Sequence, residues 1–208
     1  MKPIQIICGL GNPGDEYEHT RHNAGFWFID ALASTLGVTL KKEAKFSGLV
    51  GKTQINGHGV WLLKPNTFMN RSGKALAALA GFYQVAPDAI LVVHDELDLL
   101  PGLSKMKQGG SHAGHNGLKD IQALLGSQQF WRIRLGIGHP RTLALNQEVI
   151  DFVLHRPSRE HRALIDAEIE RALSIIADAV AGDCDVATMK LHTRPKIPTL
   201  QTKPDPKI

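Results

Sequence analysis

Residues Ile90-Leu91-Val92-Val93 form an unbroken apolar run that passes directly into His94-Asp95-Glu96. A strand with water on one side alternates apolar and polar residues. A run of consecutive apolar side chains is instead the signature of a strand covered on both faces. Such a strand belongs inside a sheet flanked by helices, and the rest of the chain supplies both. Residues 4–8 are a second short apolar run, halted at Gly9. Residues 46–55 and 60–64 read as strands around the turn Asn56-Gly57, the second ended by Pro65. In residues 132–138, Ile133, Leu135 and Ile137 alternate with Arg132 and Arg134.

Helical spacing lies between these strands. Over residues 23–36, Ile29, Leu32, Ala33 and Leu36 share a face, and Gly37 can close the helix. Ser72 is placed to cap a helix reaching about residue 83, with Leu76, Leu79 and Ala80 inward. Residues 118–125 suit a short helix. After Pro157 and Ser158 a long helix is expected to run to about residue 180, with the stripe Ile165, Ile169, Ala172, Leu173, Ile176 and Val180. Residues 109–117, rich in glycine and histidine, read as a mobile loop. No repeat or linker divides the 208 residues. The expected architecture is one α/β domain, a twisted, mixed and largely parallel sheet surrounded by helices. It should occupy residues 1–192 and be followed by a basic, proline-containing tail, residues 193–208.

Composition excludes several classes. No apolar run approaches the ~20 residues of a membrane span, and the N-terminus lacks the pattern of a signal peptide. Cys8 and Cys184 are too few for a disulfide framework or a cysteine-rich zinc site, and the expected setting is a reducing cytoplasm. The formal net charge of +4 sits in residues 189–208, which hold five basic residues and one acid. Residues 1–188 balance at 19 of each sign, yet unevenly. Residues 41–74 carry seven basic residues against one acid, and residues 148–185 carry nine acids against four basic residues. A neutral body can therefore present a basic face to an acidic partner.

Polar residues gather where an open α/β sheet places its sites, beyond the carboxyl ends of the strands. Asn12 and His22 follow the first strand, Asn66, Thr67, Met69 and Asn70 the strand ending at Lys64, and His94-Asp95-Glu96 the strand ending at Val93. The glycine loop adds His112, His115 and Asn116. A histidine beside an aspartate suits a general base that activates water, and amide side chains suit an ester and its developing oxyanion. Gly-x-Ser-x-Gly is absent, and Cys8 lies within an apolar strand, so no nucleophile is evident. Gly9-x-Gly11-x-x-Gly14 has the spacing of a dinucleotide loop, but Pro13 interrupts it and the helix starts only near Asn23. A metal hydrolase could draw on His112, His115, His94 and Asp95, but a glycine loop is a poor ligand frame.

Several blocks together resemble the bacterial peptidyl-tRNA hydrolase family. They are Gly9-Leu10-Gly11-Asn12-Pro13-Gly14 with Tyr17, Thr20-Arg21-His22-Asn23-Ala24-Gly25, Phe68-Met69-Asn70-x-Ser72-Gly73, His94-Asp95-Glu96-Leu97-Asp98, Gly114-His115-Asn116-Gly117-Leu118-Lys119 and residues 132–138. The resemblance implies hydrolysis of the ester joining a peptide to the 3′ ribose of tRNA, by a cytoplasmic monomer without metal or organic cofactor. It implies His22 as general base and Asp95 as its orienting partner. Asn12, Asn70 and Asn116 would position the substrate, and Tyr17 and Met69 would line the cleft. Lys107 and Arg134 would clamp the tRNA 5′ phosphate, so that the acceptor stem and 3′ CCA end are the bound parts. The chain departs from the family at Ser111 and Ala113, where glycine is common, and an added Cβ restricts the backbone wherever φ is positive. The rival from another class is a non-catalytic RNA-binding relative. Joint retention of His22, Asp95, Asn12, Asn70 and Asn116 favours the enzyme.

Overall fold

The computed structural model describes residues 2–193. The expected basic tail falls, apart from Thr193, outside the described residues. Among the described residues, seven strands form one sheet: β1 (Ile6–Gly9), β2 (Lys41–Glu43), β3 (Gly48–Ile55), β4 (His58–Pro65), β5 (Ile90–Glu96), β6 (Ser104–Gln108) and β7 (Trp131–Gly136). Their order is β2-β3-β4-β1-β5-β7-β6. The central four are parallel, and β2, β3 and β6 run antiparallel to their neighbours, which is the mixed, largely parallel α/β sheet expected. Every residue of β5 is buried, as its unbroken apolar run requires.

Seven helices among the described residues accompany the sheet: α1 (Ala24–Thr35), α2 (Ser72–Phe82), α3 (Asn116–Leu125), α4 (Val149–Val153), α5 (Arg159–Ser174), α6 (Ile176–Ala181) and α7 (Cys184–His192). Alternate residues of β1 feed two cores. Ile7 joins Phe28, Ile29 and Leu32 of α1 and Ile165, Ile169 and Ile176 of α5 and α6. Ile6 and Cys8 join Leu76 and Leu79 of α2 and Ile121 of α3. Cys8 is thus a core residue, and burial pushes its thiol well above the ordinary range.

Local signals hold at several turns. Asn56 and Gly57 both have positive φ, 49° and 82°, as a two-residue hairpin turn needs. Gly37 follows α1 at φ 63°. Ser158 caps α5 by accepting from the His161 N–H at 3.1 Å. Ser72 differs from expectation, since it opens α2 from inside and its hydroxyl donates to the Met69 carbonyl at 2.9 Å. The long helix expected over residues 159–180 is broken at Ile175. Ile175 and Ile176 are both buried in one core, and the break turns two consecutive side chains inward where a straight helix would separate them by ~100°.

The glycines of β1 and α1 decide how closely the site is assembled. A Cβ on Gly25 would stand 2.3 Å from the Val93 carbonyl oxygen and 2.4 Å from the Leu10 nitrogen. The first turn of α1 therefore rests directly on the ends of β1 and β5, and the residue three places earlier, His22, is carried to the same point.

Candidate active site

The carboxyl ends of β4, β1, β5 and β7 lie side by side and open into a cleft of about 720 Å³. His22 enters it on a single 3-10 turn, Arg21–Asn23. Both neighbours hold that turn. Arg21 Nη1 donates to the carbonyls of Phe152 and His155 at 2.9 and 3.1 Å, with its guanidinium 4.0 Å from the Phe152 ring centre. Asn23 accepts from the Asn12 N–H at 2.8 Å and donates to the Asn12 carbonyl at 3.0 Å. Asn12 Oδ1 in turn accepts from the Met69 N–H at 2.7 Å. With its oxygen committed, Asn12 presents its amide N–H groups to the cleft.

The centre of the site is Asp95, buried at the end of β5. Its Oδ1 and Oδ2 both lie 3.0 Å from His22 Nδ1. A carboxylate at neutral pH only accepts, so Nδ1 carries the hydrogen and Nε2 keeps its lone pair. Oδ1 also accepts from His115 Nε2 at 3.0 Å. His115 Nδ1 accepts from the Leu118 N–H at 3.4 Å and so caps α3. One carboxylate thereby orients two imidazoles and fixes both tautomers. Burial pushes the Asp95 carboxyl up, but the two imidazoles beside it hold it well below the usual range. For His22, burial disfavours the imidazolium, while the charge and hydrogen bond of Asp95 favour it and leave its pKa raised above 6.5. His94 is driven well below the ordinary value by burial and by His115, so it stays neutral.

The remaining expected residues fall into two groups. Asn12, Met69, Asn70, Asn116, Lys107 and Arg134 all border the cleft with His22 and Asp95. Asn116 is the first residue of α3, directly after the capping His115. Tyr17 is not among the residues that border the cleft. It packs edge-on against Phe68, ring centres 6.2 Å apart, and Phe68 is the ring that borders the cleft. Lys107 on β6 and Arg134 on β7 lie on adjacent strands. Arg134 Nε is held by Glu96 at 2.7 Å, which leaves its terminal amines free to bind. Burial, then the charges of Arg134 and Arg132, lower the Lys107 pKa, a crowding of cations that an anion would relieve.

The glycine loop is tied down at one end. Arg132, 1% exposed, donates from Nη1 to the Ser111 carbonyl at 2.7 Å and from Nη2 to the Gly110 carbonyl. Of the two departures from glycine, only Ala113 adopts positive φ, 46°. Sequence reasoning placed His115 in the loop and did not assign it to Asp95. The signal available was its position three residues before Leu118, the spacing of a helix cap. Asn23, the brace of Asn12, was legible only as a polar residue ahead of an apolar helix.

Among the described residues, His22, Asp95 and His115 offer three possible metal-ligand atoms within 4.8 Å of one another. Both imidazole nitrogens facing the carboxylate are hydrogen-bond donors to it, the arrangement that orients a base. The ligand set drawn from the glycine loop does not form: His112 Nδ1 accepts from the Gly114 N–H at 3.1 Å instead.

Known proteins share this chain's sequence and architecture. The family model described as peptidyl-tRNA hydrolase matches residues 6–199. A peptidyl-tRNA hydrolase of Bordetella avium is 60% identical over 192 residues, covering 92% of this chain and 93% of the relative. One from Variovorax paradoxus is 54% identical over 199 residues, covering 94% and 93%. The solved structure of the Acinetobacter baumannii peptidyl-tRNA hydrolase superposes with a TM-score of 0.87 at 46% identity, covering 92% of this chain and 95% of that one. Another, of a peptidyl-tRNA hydrolase in complex with N-propanol, gives 0.88 at 45% identity, covering 93% and 97%. With agreement at this level along nearly the whole length of chain and relatives, the protein belongs to the peptidyl-tRNA hydrolase family.

Proposed function

We propose that the protein hydrolyses the ester between the peptide and the 3′ ribose of peptidyl-tRNA, with His22 as the base that activates water. The observation that carries this is the Asp95 carboxylate 3.0 Å from His22 Nδ1, which leaves Nε2 as a lone-pair acceptor at the cleft. In the reaction Nε2 takes a proton from water as its oxygen attacks the ester carbonyl. Asp95 stabilises the imidazolium that forms. The Asn12 amide, its oxygen held by Met69, donates to the developing oxyanion. Collapse of the tetrahedral intermediate expels the 3′ oxygen, which recovers the proton from His22. Asn70 and Asn116, which both border the cleft, position the ester and the terminal adenosine. Met69 lines the cleft, with Tyr17 supporting its wall through Phe68.

Lys107 and Arg134 receive the 5′ phosphate, so the acceptor stem and CCA end are the parts of tRNA engaged. In this reading the enzyme works as a monomer, in the cytoplasm where translation generates its substrate. Release of labelled peptide from N-acetyl-aminoacyl-tRNA, with and without EDTA, tests the reading. Release unaffected by EDTA is expected, and its abolition by EDTA with recovery on adding metal would favour metal chemistry. His22→Ala should lower kcat by about 10²–10⁴-fold while leaving tRNA binding near that of the parent. A variant with unchanged kcat would remove His22 from this role.

A further inference from the structure

The outer half of the sheet carries a second cationic surface whose residues do not border the cleft. Lys41 pairs opposite Val50 and Lys52 opposite Trp61, which places both lysines on the sheet face that α2 partly covers. At the far end of α2, Phe82 is 62% exposed and Tyr83 is also exposed. Tyr83 stacks on Trp61 with ring centres 4.3 Å apart, and Phe82 meets Tyr83 edge-on at 4.9 Å. Lys45 Nζ stands 4.7 Å from the Phe82 ring centre, and Lys52 Nζ 5.0 Å from that of Trp61. Among the described residues, Lys41, Lys45 and Lys52 make no ion pair. Elsewhere Lys2, Lys64 and Lys190 are held by Asp88, Asp30 and Asp178 at 2.9, 2.6 and 2.8 Å. The surface thus combines unneutralised ammonium groups with exposed rings, the two elements that hold single-stranded nucleic acid.

Charge and shape select among occupants. A second copy of the chain would bring like-charged lysines together, and an acidic peptide would use the lysines without the ring faces. An RNA strand uses both. Lys41, on the β2 edge, lies six strand spacings or ~29 Å from the opposite edge, β6, which carries Lys107. The 11 residues of α2 put ~16 Å between the cleft rim and Phe82.

We infer that this face binds an unpaired segment of a second RNA molecule, phosphates on the lysines and bases on Phe82 and Tyr83, independently of the cleft. The test is fluorescence anisotropy of a labelled oligouridylate dodecamer at low salt. Phe82→Ala and Tyr83→Ala should each weaken binding on the order of tenfold, and Phe82→Trp should retain it. Lys45→Ala with Lys52→Ala should lower the slope of log affinity against log salt by about 1.4. Lys107→Ala should leave oligonucleotide binding unchanged. Circular dichroism and peptidyl-tRNA hydrolysis monitor folding of the aromatic variants, and the failure of hydrolysis alone would bear on the cleft and not on this surface. Loss of binding in Lys107→Ala but not in Phe82→Ala would assign the RNA to the cleft and overturn the inference. Equal binding of polyglutamate would reduce the face to nonspecific charge, and a dimer abolished by Phe82→Ala would make it an interface between copies.

Discussion

At the scale of single residues, the site depends on which side of each histidine ring carries its hydrogen. Asp95 accepts from His22 Nδ1 and His115 Nε2, and both tautomers follow from that single carboxylate. Water activation requires His22 unprotonated, and its pKa lies above 6.5. The kcat/KM of the parent should therefore hold at alkaline pH and fall with unit slope as pH drops through a value above 6.5. Asp95→Asn removes the charge that favours the imidazolium. What activity remains should show its acid limb at lower pH, measured as a pH profile of kcat/KM; an unmoved limb would separate it from His22. Ala113 offers a stability counterpart. At φ 46° its Cβ is strained, so Ala113→Gly should stabilise the fold by up to about 1 kcal/mol in a denaturant titration, with the chemistry intact.

At the scale of elements, the site is built by close approach. Gly25 lets α1 rest on β1 and β5, and the 3-10 turn before it carries His22 to Asp95. Gly25→Ala would place a methyl 2.3 Å from the Val93 carbonyl oxygen and should cost about 3 kcal/mol or more while parting His22 from Asp95. Thermal denaturation and kcat should fall together, and a stable, fully active variant would contradict the geometry. The same elements explain what could be read beforehand. The strands β1 and β5 were legible because buried parallel strands require runs such as Ile90-Leu91-Val92-Val93, β4 because the Asn56-Gly57 turn precedes it, and β7 because its apolar residues alternate with Arg132 and Arg134. In β6, Ser-Lys-Met-Lys-Gln has one apolar residue, Met106, and its pairing comes from β7 and not from its own pattern. The helix α7 was also missed, and its weakly amphipathic sequence is ordered by packing Cys184, Ala187 and Leu191 into the core. Site residues were legible where a motif is local, as around His22 and Asp95. The bonds from Asp95 to His115 and from Asn23 to Asn12 join segments that only the folded sheet brings together.

At the scale of the whole molecule, the question is where a chain of net charge +4 meets a polyanion. Formal charge puts the excess in residues 189–208, whereas the proposed phosphate clamp lies in the body. Lys107 lies on the edge strand β6 and Arg132 and Arg134 on its neighbour β7, and Glu96 engages Arg134. Arg132 is spent on the glycine loop, so Lys107 and the terminal amines of Arg134 are the groups open to a phosphate. Removing one cation that binds a phosphate should reduce the salt slope of tRNA affinity by about 0.7–0.9. Lys107→Ala and Arg134→Ala should therefore raise KM, flatten its salt dependence and leave kcat little changed. Removing residues 194–208 should weaken affinity only modestly, because Lys107 and Arg134, the proposed clamp, remain. These two expectations divide the charge between body and tail in one salt series. A collapse of affinity on truncation, with Lys107→Ala unaffected, would assign the tRNA to the tail. The converse would place recognition on β6 and β7, where burial and then the charges of Arg134 and Arg132 lower the Lys107 pKa and a bound phosphate would oppose that lowering.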